Sequence, residues 1–234
     1  MTPDSVRPIE KACERLLRAA IQAPSGDNMQ PWRFSVDAAS RRIAIYLDET
    51  RDPSPMNAGQ RMSRLAIGAA LENMLRAAES LAWSVELEEP SDSALAALRI
   101  VRCEENSREV APVIFNRGTN RRVYDGRPLS AEMAADLERT VFEHAGVRTI
   151  WIHQHERVLV LADLVGRADA LMLGEPSMRH AFLDNVRFDA PRNAEVDEGL
   201  SLASLELPLA DRIALRMMRY LPDWLLRLGG ASGK

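Results

Sequence analysis

Lysine is nearly absent from this 234-residue chain: Lys11 and Lys234 are its only two, and arginine supplies the other positive charge. With Lys and Arg at 30 against Asp and Glu at 34, the formal charge is −4, so no basic excess offers itself to nucleic acid. Cysteine is equally scarce. Cys13 falls in an expected helix and Cys103 at the end of an expected strand, which gives no disulfide framework. No basic stretch followed by an apolar one opens the chain, and no run approaches the ~18 apolar residues of a membrane span. These absences predict a soluble, cytoplasmic protein without stable membrane insertion. A Gly-x-Gly-x-x-Gly motif and a phosphate loop are also missing, so a Rossmann reading has no support. Of His144, His153, His155 and His180, only His153-x-His155 shares a strand face, and no third ligand follows at a metal-site spacing.

At 46% hydrophobic, the chain can bury one large core or two small ones. Ile9, Cys13, Leu16, Leu17, Ala20 and Ile21 recur at helical spacing. Residues 34–36 and 43–47, joined by Asp37-Ala38-Ala39-Ser40-Arg41, read as a β-hairpin. A helix is expected over 61–83, with Ala66, Ile67, Ala70, Leu71, Met74, Leu75 and Ala78 as its apolar stripe. Residues 83–87 and 98–103 read as strands around the turn Glu89-Pro90-Ser91-Asp92. The pattern then begins again: Ser130 caps a helix running to about residue 145, an extended run covers 147–153, and a helix covers 159–173. From Gly174 onward the chain reads as polar loop, until an apolar, arginine-bearing helix over 212–228 that Pro222 interrupts. Arg212, Arg216, Arg219 and Arg227 on that helix fit snorkelling over packed surface better than a membrane face. Leu215, Met218, Leu221 and Trp224 are expected to be buried.

The most informative stretch is Ala23-Pro24-Ser25-Gly26-Asp27-Asn28-Met29-Gln30-Pro31-Trp32-Arg33-Phe34. Pro24 cannot continue the helix before it, and Pro31-Trp32 turns the chain into a strand. Ser25 and Gly26 leave room for a flat ligand to approach the backbone, with the Asn28 and Gln30 amides beside the opening. This composition suits the edge of a planar, hydrogen-bonding heterocycle. An ordinary helix-to-strand turn with a buried Trp is the alternative.

A second cluster is Arg117-Gly118-Thr119-Asn120-Arg121-Arg122-Val123-Tyr124. In an extended segment Arg117, Thr119 and Arg121 point the same way, and two cations with a hydroxyl suit a phosphate and an electron-rich ring edge. A solvated basic turn is the plainer alternative.

The first string resembles the APS-x-x-N-x-QPW-x-F signature of the flavin-dependent nitroreductase family. The second resembles that family's Arg-x-Ser-x-Arg/Lys strip, with Thr119 for Ser and Arg127-Pro128 following. Each motif occurs once: the first helix has no strip before it, and the second helix-strand unit has Ala145-Gly146-Val147-Arg148 in place of the turn. The chain is similar to the tandem branch of the family, in which two half-domains imitate the usual homodimer. The resemblance covers roughly residues 9–145. No match to the family's later strand, helix and carboxy-terminal arm follows Asp189, which implies a shortened second half.

The resemblance implies an α+β fold, a nitroreductase-like sheet flanked by helices, with halves at 1–110 and 111–234. It implies FMN as cofactor, held by Pro24, Ser25, Gly26, Asn28, Arg117, Thr119 and Arg121. Arg117 would meet the phosphate, Ser25 and Asn28 the ring edge, and Thr119 with Arg121 the N1/O2 edge. The implied activity passes electrons from NAD(P)H, a transient donor, to a small-molecule acceptor such as a nitroaromatic or quinone. The flavin would carry the chemistry, with no catalytic side chain and no metal. A homodimer is an expected assembly. The competing expectations are an FMN store without turnover and an interaction protein with a vestigial site.

Overall fold

Helix α1 (Pro3–Ala20) turns Ile9, Ala12, Cys13, Leu16, Ala19 and Ala20 inward, and all six are buried. The computed structural model describes residues 3–91, 93–104, 107–142, 146, 148, 150–190 and 198–224. Helix α2 (Arg61–Ser80) answers α1 with Ala66, Ile67, Ala70, Met74, Ala77 and Ala78. Small side chains on both helices let the axes approach closely. The Asn73 amide reaches across to the Ala19 carbonyl at 3.0 Å.

These helices share one hydrophobic core with an antiparallel sheet built from β1 (Trp32–Asp37), β2 (Arg42–Leu47), β3 (Ser84–Glu88) and β4 (Ala96–Arg102). The strand order is β1-β2-β4-β3. Ile43, Ile45, Leu98 and Ile100 face the helices, while Ala44, Ala97 and Tyr46 form a smaller cluster on alternate positions. The protein is thus α+β, with helices flanking a four-stranded antiparallel sheet. The β1–β2 hairpin is closed by Asp37, whose carboxylate accepts from the Ala39 and Ser40 amides and the Ser40 hydroxyl. Those bonds hold the Asp37 carboxyl below its ordinary range.

The chain divides into two compact units, Met1–Asn120 with His180–Tyr220, and Arg121–Arg179 with Leu221–Lys234. The first unit also holds the short helix α3 (Pro112–Asn116). The second holds α4 (Ala131–Phe142) and α5 (His155–Gly174). Ser130 caps α4 as expected, its hydroxyl accepting from the Met133 amide at 3.2 Å. Arg179, buried in the second unit, donates to the Leu173 and Gly174 carbonyls at 2.7 and 3.3 Å and pairs with Asp223. It therefore ties off the carboxy-terminal end of α5.

Several expectations are revised. Helix α1 stops at Ala20, leaving Ile21 in the following turn and 46% exposed. Helix α2 stops at Ser80 because Ala82 takes a φ of 54° and the Trp83 amide returns to the Ala78 carbonyl at 2.9 Å. The stretch after Gly174 is not plain loop. It contains α6 (Pro176–Asp184) and the parallel two-residue strands β5 (Val186–Arg187) and β6 (Leu200–Ser201), before α7 (Leu209–Met218) forms on the expected 212–228 helix, starting three residues earlier. Helix α7 ends four residues before Pro222, whose ring would clash with the Met218 carbonyl. Leu215 is buried and Met218 packs beside it, but Trp224 is 64% exposed, contrary to expectation. Residues 150–153 join no strand among the described residues, because no sheet edge pairs with them. Asp92, His144, residues 143–145, 147, 149 and 191–197, and the chain from 225 onward lie outside the described residues.

Leu16 is fully buried where α1, α2 and the sheet share their core. Leu16→Ala should lower unfolding stability by about 2–5 kcal/mol in denaturant melts. A loss below about 1 kcal/mol would contradict this core.

Candidate functional site

Pro24 ends α1 as the sequence requires, and the chain then makes a single 3-10 turn over Gly26–Asn28 before β1. Asp27, Asn28 and Gln30 have φ values of 46°, 57° and 49°, in the left-handed region that non-glycine residues avoid. Asp and Asn tolerate this region better than most residues. The Ser25 hydroxyl braces the turn by accepting the Gln30 amide at 3.0 Å. The Met29 amide returns to the Gly26 carbonyl at 2.9 Å. Ser25, Gly26 and Asn28 are half-buried, Pro24 is exposed, and Met29 and Trp32 anchor the segment in the interior.

The position that a Cβ on Gly26 would take is closely bordered by Met62. A Cβ there would stand 3.2 Å from the Met62 methyl, so this glycine gives Met62 its seat. Met62 is itself fixed, since its amide donates to the Asn57 carboxamide at 3.0 Å at the start of α2. Asn57 is buried, and its amide nitrogen lies within reach of the Asp52 carbonyl, Gln60 and Ser63. The amino-terminal end of α2 is thereby locked to the turn.

Arg117 is brought to this turn from 95 residues away. Its Nε donates to the Gln22 carbonyl at 3.1 Å. Arg117 follows α3 in an extended conformation, with φ −61° and ψ 131°, and its side chain is exposed. Thr119 belongs to the same unit and is also exposed. Arg121 belongs to the second unit and is exposed there. Of the sequence-predicted set, the first unit therefore joins Arg117 to the end of the helix that delivers Pro24, Ser25, Gly26 and Asn28.

Sequence reading missed the residues that grip the turn from the late segment. The Gly199 amide donates to the Asn28 carbonyl at 3.2 Å. The Asn185 amide donates to the Asp27 carboxylate at 3.2 Å. Gly199 has a φ of 82°, and a Cβ there would stand 2.5 Å from the Asn185 carbonyl, so glycine is required. Behind them Leu183, Val186, Phe188, Leu202 and Leu215 form a second hydrophobic cluster. The signal available in the sequence was Gly199 beside the apolar pair Leu200 and Leu202. Its contact with a turn about 170 residues earlier leaves no local trace.

The charge nearby is acidic as well as basic. Asp52 is buried, and its carboxyl is pushed above the usual value of 3.8, first by loss of hydration and also by Asp27. The Ser54 amide donates to it at 3.3 Å. Burial raises Cys13 to about 11 and also raises Cys103, so neither thiol offers a thiolate at neutral pH. Among the described residues, no cluster of three or more His, Cys, Asp or Glu could hold a metal ion. No helix there is long and apolar enough to cross a membrane.

No protein-family model matches the chain. Uncharacterized protein MT1398 of Mycobacterium tuberculosis is 28% identical to it over 213 residues, which cover 88% of this chain and 29% of the relative. The chain thus spans less than a third of that relative's length.

Because the fold raises the Asp52 pKa, it binds that proton more tightly than the unfolded chain does. Stability from this group is present below about pH 3.8 and falls as pH rises through the higher folded value. Asp52→Asn keeps the acceptor for Ser54 and removes the buried charge. The variant should melt at a higher temperature than the parent at pH 7, with the difference closing towards pH 3.8 in thermal scans. A pH-independent difference, or a less stable variant at pH 7, would contradict this.

Proposed function

We propose that the chain is a flavin-dependent oxidoreductase of nitroreductase-like fold, binding FMN at the turn after α1. The observation that carries this reading is the bond from Arg117 to the Gln22 carbonyl, because it brings the first residue of the second motif to the residue just before the first. The donor chemistry of the turn fits the cofactor. Ser25 uses its oxygen to hold Gln30, which leaves its hydroxyl proton for an acceptor on a ring edge. Arg117 presents a permanent cation in a fork suited to phosphate oxygens.

A bound flavin would supply the redox chemistry, taking a hydride from NADH or NADPH and giving two electrons to a nitroaromatic or quinone. The protein's part is position and charge. Ser25 and Asn28 would hold the ring edge, Thr119 would add a hydroxyl donor, and Arg117 would hold the phosphate. The strained, braced backbone would keep these donors from rearranging as charge develops. A small-molecule acceptor is the expected partner.

A second copy of the chain is part of the same proposal. Val158, Leu159, Val160 and Leu161 are consecutive on α5 and all exposed, so every face of that helix carries apolar surface. A helix of that kind needs to be surrounded, and a homodimer supplies the surroundings.

The test is the visible absorbance of the purified protein, followed by anaerobic addition of NADH or NADPH. The expected result is a flavin spectrum that bleaches and returns when a quinone is added. Ser25→Ala and Arg117→Ala should each weaken FMN binding, the latter by about ten- to a hundredfold for one charge-assisted contact. A flavin spectrum that no nicotinamide bleaches would favour the store. No FMN binding at all would overturn the proposal.

A further inference from the structure

We infer that the first unit carries a separate site for a nucleoside monophosphate in the cavity between α1 and α3. The cavity is an open groove of about 460 Å³, within the range of small-ligand sites and too small for a dinucleotide. Arg15 and Arg18 line it from one face of α1, one turn apart. Arg15 is already positioned: its Nη2 donates to the Arg108 carbonyl at 2.7 Å, and its guanidinium lies 5.3 Å from the centre of the Trp83 ring. Arg18 is exposed and has no hydrogen-bond or ion-pair partner among the described residues. Two guanidinium groups so placed suit a phosphate.

The rest of the lining narrows the ligand. Glu109 stands in the same cavity, and its carboxylate disfavours a bare anion but accepts hydrogen bonds from ribose hydroxyls. Phe115, 44% exposed, forms with Val110 and Pro112 an apolar wall on which a planar base can lie. Asn116 adds an amide that can both donate to and accept from a base edge. Phosphate, sugar and base each have a counterpart. The inference uses none of the residues assigned to FMN and stands whether or not flavin binds.

The test is calorimetric titration of the full chain, as purified, with AMP, adenosine and inorganic phosphate. AMP should bind at one site per chain, with adenosine and phosphate each at least about tenfold weaker, since each lacks half of the contacts. That comparison needs no variant. Arg18→Glu, at an exposed side chain without partners among the described residues, should weaken AMP by at least about tenfold, and Phe115→Ala should weaken it severalfold. Added FMN should not displace AMP. Failure of AMP to saturate at millimolar concentration would overturn the proposal. Phosphate binding as tightly as AMP, unchanged AMP affinity in Arg18→Glu, or displacement by FMN would each do the same.

Discussion

Three residues of one turn, Asp27, Asn28 and Gln30, hold a left-handed backbone, and the architecture around them exists to keep them there. Strain of this kind costs about 1–3 kcal/mol per residue and persists only where the surroundings overdetermine it. Here the surroundings come from the turn itself and from two distant parts of the chain. Ser25 braces the turn from within, Met62 on α2 fills the space over Gly26, and Gly199 and Asn185 bond its outer side. Met62 stands on α2, whose inner face belongs to the α1–α2 core, and Asn185 directly precedes Val186 of the cluster around Leu202.

That dependence links the core to the proposed chemistry. Leu16 and Met74 set how α1 lies on α2 and hence where the helix ends. The end of α1 exposes the Gln22 carbonyl that Arg117 takes, and Asn57 fixes the start of α2 beneath Gly26. A rigid edge of this sort would let the proposed ring meet donors already in place, which would avoid the cost of ordering them on binding. The second unit follows a different logic. Its helix α5 carries exposed apolar residues beside its charged ones and has no buried residue, so its stability depends on what surrounds it.

Much of the first unit was legible in the sequence. The stripes of α1 and α2, the hairpin and the strand pair follow from local periodicity, and Asp37 and Ser130 act where turn and cap chemistry predict. The turn itself was recognisable from Pro24, Asn28 and Pro31. What packs against it was not. Met62, Asn185 and Gly199 act through contacts far apart in sequence, and Met62 borders the position a Gly26 Cβ would take. The segment between Gly174 and the last helix read as loop because α6 is short and β5 and β6 hold two residues each, below what periodicity resolves. Residues 150–153 show the reverse error: an apolar, β-branched run needs a neighbouring edge before it becomes a strand.

The turn is a preformed edge, held by segments about 170 residues apart. Amide hydrogen exchange on the protein without added ligand tests it most directly. The Gln30 and Gly199 amides, which donate to Ser25 and to the Asn28 carbonyl, should exchange slowly and lose protection together as denaturant is raised. Exchange of both as fast as the exposed Gly118 and Thr119 amides would mean that the turn forms only when something binds, and would contradict the account.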